Sequence, residues 1–592
     1  MLTAITIITI EGSILIRRVR MPVWLVFGGM VAVLFQPARA AADETTGQGD
    51  SGSTSPYSLY SPPYSPQSAP APQETGSAAT YNNNNPYRSP VLNPWASSQP
   101  GGVHCGVAAA TLYSSPSGAT ASETGLTGEA APERTRSYNI GKRVVLVPSV
   151  SLSEIYSDNI TLRPDHTQSD FITELRPGLN ACAQMPRFRG DLSYSLQGLY
   201  YARYSSHNAV YSQLGADTTT VLLPRHVFFS ANTSYGQAVI NPAQPYSTSN
   251  VLDTGNTTNV WTFNLSPYVE QGLGRLGHST LRYTYGRVLY ANNNYRNGNS
   301  GLSDTTSNTA SAQIVNPQTN ELWTWKADYR TQQLQRSGNV AQRTVYFDTA
   351  SLQLGYKVRT NFEILAQGGI EDRYNLDGTT DRLASPFWNA GFRWATAFND
   401  FELRYGHRFF GPTYTAKWQL NLPRLKAAMT YNEQPTESNN EFLNMRAGQQ
   451  NGQLLPNVPV LQLNQYQIYI SKRLSADIDY ALGQTKLTLG GYSELRQYTA
   501  SGVPDERVQD ADVSWIFPLG VRTSLTPRWT WQRYDQPDGR PDYLQQELLT
   551  LGHRLGLAST ARLVLRHQSR TSHAQRSGYK ENAVILEYSR IF

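Results

Sequence analysis

From residue 142 to the C-terminus, apolar and polar side chains alternate along the chain. Leu192, Tyr194, Leu196, Gly198, Tyr200, Ala202 and Tyr204 are interleaved with Asp191, Ser193, Ser195, Gln197 and Arg203. Successive side chains of an extended chain point to opposite sides, so this is a strand with one greasy and one wet face. The period returns where Trp261, Phe263, Leu265, Pro267 and Val269 alternate with Thr262, Asn264, Ser266, Tyr268 and Glu270. It returns again in Leu281, Tyr283 and Tyr285 against Thr280, Arg282 and Thr284, and in Trp323, Trp325, Ala327 and Tyr329 against Thr324, Lys326, Asp328 and Arg330. Phe401, Leu403, Tyr405, His407 and Phe409 alternate with Glu402, Arg404 and Arg408, and Tyr414, Ala416, Trp418, Leu420 and Leu422 follow. No amphipathic helix stands out in this region.

The connections alternate as well. Pro224-Arg225, Arg359-Thr360-Asn361 and Pro423-Arg424 are short turns, whereas Asn292–Gly301, Tyr374–Ser385 and Asn432–Val460 are longer polar loops. Short turns at one end and long loops at the other are the pattern of a transmembrane barrel. A tilted spanning strand needs about 9–11 residues, and these segments run to roughly 9–17. The fold predicted is all-β: a transmembrane antiparallel up-and-down β-barrel over 141–592, of about 22 strands (range roughly 16–26). Lipid cannot hydrogen-bond an open sheet edge, so a spanning sheet must close. A soluble sandwich runs near 100 residues per domain, whereas this pattern continues without a linker. A barrel of this size is too wide for side chains to fill, which leaves a wet lumen.

Composition agrees. Charged residues are 16% of the 592, with Gly 45, Tyr 36 and aromatics at 11%. Mean hydropathy is −0.45, which excludes a helical membrane protein. The net charge of +6 comes mostly from arginine, without the clustered basic runs of a nucleic-acid binder. Two cysteines exclude a disulfide scaffold and a cysteine-ligated zinc module. A disulfide between Cys105 and Cys182 is open to them in an oxidising compartment.

The N-terminus reads as a targeting segment. Arg17, Arg18 and Arg20 precede the apolar run Met21 to Phe35, and Ala38-Arg39-Ala40 fits a small-x-small cleavage site. Residues 1–40 are therefore assigned as a signal peptide. Residues 41–140, rich in Ser, Pro, Asn and Tyr without a period, are assigned as a disordered periplasmic segment. At the other end, Val584, Leu586, Tyr588 and Phe592 share one face of a terminal strand ending in Phe, the form read by the barrel assembly machinery. Arg590 interrupts that face and can snorkel toward the membrane edge.

Ser149-Val150-Ser151-Leu152-Ser153-Glu154-Ile155-Tyr156-Ser157-Asp158-Asn159-Ile160-Thr161-Leu162, with Leu175-Arg176-Pro177-Gly178-Leu179 and Tyr579-Lys580-Glu581-Asn582, resembles the outer-membrane β-barrel porin family associated with exosortase and exopolysaccharide loci. The resemblance covers roughly 142–592 and carries no catalytic motif. It implies an outer-membrane barrel linked to polysaccharide export, with export components as partners.

For chemistry, His407, His553 and His567 share parity with the apolar residues, and Ser569 follows His567 on the same face. Amphipathic rings at strand ends belong at a membrane interface. His407 and His567 fall on non-neighbouring strands, so no hydrolytic dyad is evident. Asp165, His166 and Asp170 lie in one short polar stretch and read as solvated loop residues. No cofactor or metal spacing is present, and the chain is predicted not to be an enzyme. The wet face carries Asp191, Arg203, Glu270, Arg282, Lys326, Asp328, Arg330, Glu363, Glu402, Arg404, Arg562 and Arg566 as lumen-lining candidates. An excess of Arg there favours anionic solutes modestly, while pairing across strands would use the same charges structurally. The expectation is a porin-like channel of the Gram-negative outer membrane, passing polar solutes or exporting exopolysaccharide, surrounded by outer-membrane lipid and lipopolysaccharide. The alternative is a surface receptor or adhesin with a plugged lumen, and a lipid hydrolase ranks third.

Overall fold

The computed structural model describes residues 2–10, 13–21, 138–139 and 144–592, less the stretches 242–243, 248, 253, 292–301, 317–321, 338–343, 373–383, 445–467, 499–501, 536–539 and 574–576. Strands β1 (Leu2–Ile10) and β2 (Ser13–Met21) form an antiparallel hairpin, with Leu2 opposite Met21 and Ile10 opposite Ser13. Arg17, Arg18 and Arg20 thus stand in a strand. The apolar run after Met21, the cleavage site and the Ser/Pro spacer lie outside the described residues.

The remainder is a barrel. The two-residue β3 (Tyr138–Asn139) pairs with β4 (Val144–Ser157), which is followed by β5 (Asp170–Gln184), β6 (Phe188–Tyr201), β7 (Ala209–Leu223) and β8 (Val227–Val239). Next come β9 (Thr257–Gly272), β10 (His278–Tyr290), β11 (Thr305–Val315), β12 (Trp323–Arg336), β13 (Thr344–Arg359) and β14 (Phe362–Asp372). Then follow β15 (Ala384–Ala395), β16 (Asn399–Arg408), β17 (Gly411–Asn421), β18 (Leu425–Thr436) and β19 (Tyr469–Leu482). The last are β20 (Thr485–Tyr498), β21 (Glu506–Pro518), β22 (Thr523–Asp535), β23 (Pro541–Arg554), β24 (Ser559–Thr571) and β25 (Tyr579–Ile591). Every neighbouring pair from β4 to β25 is antiparallel, and β25 returns to β4, closing a ring of 22 strands.

Closure uses the C-terminal strand. Ala583 lies opposite Ser157 and Ile591 opposite Ser149, and the Phe592 amide donates to the Pro148 carbonyl at 3.0 Å. Val584, Leu586, Tyr588 and Phe592 do share the outward face, together with Arg590, whose guanidinium lies 5.2 Å from the Phe592 ring. That contact lets a charge sit at the wall's edge without pointing into hydrocarbon.

The two faces obey the alternation. On β25, Tyr579, Glu581, Ala583, Ile585 and Glu587 are buried inward while the residues between them are exposed. The outer wall is greasy and ends in two aromatic girdles. At the long-loop end Tyr156 meets Phe171 at 5.0 Å and Tyr405 meets Tyr414 at 5.2 Å. At the short-turn end Trp323 meets Tyr356 at 4.9 Å and Phe362 meets Phe392 at 5.6 Å. Exposed apolar area on this scale is unstable in water and favourable in a bilayer, and aromatic girdles mark its two interfaces.

Several boundaries depart from the sequence reading: β15 begins at Ala384, inside the predicted loop Tyr374–Ser385, and β16 and β17 end one residue before Phe409 and Leu422. β18 runs to Thr436, five residues into the segment read as loop, with Pro435 opposite Ile470 and Glu433 opposite Lys472. Its last outward residues are Glu433 and Pro435, so no greasy period betrays the strand. The same connection contains a helix, Ser438–Asn444, too short to show a helical period. The turn between β16 and β17, at the long-loop end, is only residues 409–410. The predicted loop Asn292–Gly301 lies outside the described residues.

Candidate functional site

The lumen is where polar groups from many strands converge. On β12 and β19 the inward positions in the long-loop half are buried, whereas those toward the short turns are partly open; on β23–β25 the inward positions are buried along almost the whole strand. On β12, Gln332, Leu334 and Arg336 are buried, while Lys326, Asp328 and Arg330 are not. On β19, Tyr469 and Ser471 are buried, while Asp477 is exposed. A 22-strand wall cannot bury its own inner face, so something must enter the long-loop half.

Two loops do. The first joins β8 to β9. Asn256 knits its neck, accepting from the Asn241 amide at 2.9 Å and donating to the Asn241 carbonyl at 2.7 Å. Beyond the neck the loop reaches strands far round the ring. The Tyr201 hydroxyl on β6 donates to the Val251 carbonyl at 2.6 Å, and Asn250 donates to Gln197 at 3.0 Å. On the other side of β4, the Tyr579 hydroxyl donates to the Tyr246 carbonyl at 2.7 Å, and Ser247 donates to Gln568 at 3.2 Å. Arg570 covers the Tyr246 ring at 4.9 Å and is held by Asp542 at 2.7 Å. Burial pushes the Tyr246 phenol above its usual range, and the Arg570 charge beside it pulls the other way. Val251, fully buried, packs among Ile155, Ile172, Leu548, Val564 and Ile585.

The second loop joins β18 to β19 and crosses to β9–β12. Glu437 forms a buried ion pair with Arg336 of β12, both side chains at 0% exposure. In the following helix Asn439 accepts from the Tyr290 hydroxyl at 2.6 Å and donates to Thr305 at 2.8 Å. Asn440 accepts from Gln332 at 2.9 Å, and the Leu443 carbonyl accepts from Asn264 at 2.8 Å. Leu443 sits among Val260, Val288, Tyr290, Leu334 and Phe347. The approach requires Gly286, where a Cβ would stand 3.0 Å from Leu443 and 2.5 Å from the Asn264 side-chain oxygen.

Of the lumen candidates, eleven face inward: Asp191, Glu270, Arg282, Lys326, Asp328, Arg330, Glu363, Glu402, Arg404, Arg562 and Arg566. Arg203 does not line the wall. β6 ends at Tyr201, and Arg203 lies exposed in the following turn, whose backbone amides are held by the Asp170 carboxylate. Asp170 is likewise not a solvated loop residue: it is buried, accepting from the Phe171, Arg203 and Tyr204 amides. Asp165 and His166 are exposed.

The inward charges are largely spent on one another. Arg562 meets Glu587 at 3.1 Å, Arg566 meets Glu581 at 2.8 Å, and Lys326 meets Asp328 at 3.0 Å. Arg282 lies 4.0 Å over the Tyr268 ring, and Thr324 donates to Glu363. A motif missed in the sequence explains several pairs. Glu174-Leu175-Arg176, Glu402-Leu403-Arg404 and Glu494-Leu495-Arg496 repeat Glu-Leu-Arg. In each, the strand period sends Leu to lipid and pairs Glu with Arg inside. Buried partners Arg408 and Glu371, at 2.8 Å, were also not singled out.

His407, His553 and His567 lie on the outer face. His407 is on β16 and His567 on β24, eight strands apart round the ring. His553 and His567 bond Thr523 at 2.8 Å and Asn582 at 2.7 Å. Among the described residues, no group of three metal-ligating side chains converges. Cys182 is disulfide-bonded, and Cys105, the only other cysteine in the chain, lies outside the described residues.

No known family profile matches the chain, and no curated protein matches it in sequence. Solved structures that resemble it include the siderophore receptor PirA from Pseudomonas aeruginosa, at 10% identity and TM-score 0.40, covering 76% of this chain and 80% of that one. The FrpB iron transporter from Neisseria meningitidis is similar at 11% identity and TM-score 0.42, covering 75% and 81%. At that level nothing about ligand or partner passes from them to this chain. Its own closed ring, greasy outer wall and paired aromatic girdles are those of an outer-membrane β-barrel.

Proposed function

We propose that the protein is a gated, receptor-type outer-membrane barrel. Its long-loop face, oriented outward from the cell as in other such barrels, captures a polar ligand, and passage through the lumen requires the two inward loops to move. The N-terminal segment then lies on the periplasmic side. The supporting observation is the seating of both loops across the lumen on buried, specific contacts. Passive diffusion and exopolysaccharide export, the role implied by the family resemblance, both need those loops displaced at rest, and rank behind for that reason. The reading is non-enzymatic: His407 lies eight strands from His567, and His553 and His567, on neighbouring strands, stand opposite Ala561 and Glu547, six positions apart along the pair.

Planar-bilayer recording tests it. The intact protein should be mostly closed, and deletion of residues 438–467 together with 242–254 should give a steady large conductance. Equal steady conductance before and after deletion would overturn the gate. Absence of conductance in both would overturn passage altogether.

A further inference from the structure

Outside the lumen, the wall has a groove that the gate does not use. It lies on the outer face across β5, β6 and β7, has a volume of about 410 Å³, and is lined chiefly by Leu175, Gly198, Tyr200 and Val210, with Thr173 and Asn208 at its edge. Leu175, Tyr200 and Val210 are 51%, 59% and 74% exposed, so no part of the described chain covers it. The gap exists because Gly198 lacks a side chain where the outward residues of neighbouring strands are large. A Cβ there would meet only the Leu175 carbonyl, at 3.7 Å.

The lining is chemically apolar although two of its side chains are polar. Thr173 turns its hydroxyl to Glu154 on β4 at 2.9 Å. The Asn208 side-chain oxygen accepts from the Tyr201 amide at 2.8 Å. With those groups occupied, the groove offers hydrocarbon contacts, and its volume falls in the range of about 300–1,000 Å³ usual for small-molecule sites. Its level is defined by the strands. Tyr200 is the penultimate residue of β6 and Val210 the second of β7, so the groove opens at the long-loop end of the hydrocarbon band. In the turn that follows β6, three residues after Tyr200, Arg203 is exposed, its guanidinium without a hydrogen-bond or ion-pair partner among the described residues. An open greasy groove with a cation in the adjoining turn, at headgroup height, matches a lipid with an acyl chain below and a phosphate above.

We propose that this groove binds one acyl chain of lipopolysaccharide from the outer leaflet, with a lipid A phosphate against Arg203. The occupant follows from the orientation: the long-loop end faces the leaflet where that lipid resides. The role of Arg203 is thus at the membrane boundary and not in the lumen. The inference rests on the outer-membrane reading and is independent of the gate.

The test is titration of hexa-acylated lipid A into the delipidated full-length protein, followed by native mass spectrometry, with phosphatidylglycerol as the second arm. Wild type should retain one lipid A. Gly198→Leu, which fills the slot, and Arg203→Glu, which reverses the charge, should each weaken retention at least tenfold. Gly368→Leu, on the outer face of β14 where a Cβ meets nothing closer than 4.0 Å, should bind as wild type. Heat-modifiable gel mobility must show every variant folded. Folded Gly198→Leu and Arg203→Glu proteins that retain lipid A as wild type does would overturn the site. Preference for phosphatidylglycerol over lipid A would overturn the assigned lipid.

Discussion

Substituting Glu437→Gln removes a charge and almost no volume, and it addresses what holds the β18–β19 loop inside the lumen. The helix makes four hydrogen bonds to the wall, through Tyr290, Thr305, Gln332 and Asn264. At about 1 kcal/mol net each, these contribute ~4 kcal/mol. Burying Leu443 adds ~2 kcal/mol. Ordering the seven residues of the helix costs at least ~1 kcal/mol each, roughly 7 kcal/mol in all. Neutral contacts and ordering therefore nearly cancel, and the Arg336–Glu437 pair decides where the loop rests. Leaving one partner of a buried pair alone costs about 3–5 kcal/mol. Arg336 escapes that cost if the loop swings away and water enters. Since ~1.4 kcal/mol is tenfold in an equilibrium, the open state should gain about a hundredfold or more. The assay is single-channel recording: Glu437→Gln should raise open probability at least tenfold, and exchanging the charges in Arg336→Glu with Glu437→Arg should restore closure. A folded Glu437→Gln protein as closed as wild type would refute the reasoning.

Other outcomes follow from the same contacts. Gly286→Val should expel the helix by steric overlap with Leu443 and Asn264, raising conductance as Glu437→Gln does while leaving the barrel heat-modifiable. Tyr579→Phe removes one hydrogen bond to the first loop, about 1 kcal/mol, so its open probability should rise only a few-fold in the same recording. Glu494→Gln removes the carboxylate that the buried Arg496 pairs with, and should lower the barrel's denaturant midpoint by the equivalent of up to about 3–5 kcal/mol. Leu586→Arg places a charge on the lipid face at a cost of up to about 2–4 kcal/mol, and should reduce the heat-modifiable fraction recovered from outer membranes.

The barrel was legible because each strand writes its two environments directly into the sequence. Trp323 to Tyr329 and Leu281 to Tyr285 point to lipid as their parity demands, and the ring size followed from counting such segments. The plug was not legible. Tyr246, Val251-Leu252 and Phe442-Leu443 are runs of only one or two apolar residues in polar loops, and the loops' seating comes from partners two hundred or more residues away in some cases, as for Ser247 with Gln568. The misplacement of Arg203 has a similar cause: parity continues past Tyr201 on paper, while the chain has already turned, held by Asp170. The repeated Glu-Leu-Arg triplets were visible and would have paired six of the wall's charges in advance.

The position of the β18–β19 loop is the point on which the gate depends, and cross-linking in intact outer membranes reads it directly. Asn439 and Thr305 touch at 2.8 Å between side chains on opposite sides of the sequence. Replacing them as Asn439→Cys and Thr305→Cys, in a background of Cys105→Ser and Cys182→Ser, should give a spontaneous disulfide in most molecules and a channel locked shut until reductant is added. Persistently free thiols in a folded barrel, with conductance indifferent to reductant, would contradict a lumen closed by its own loop.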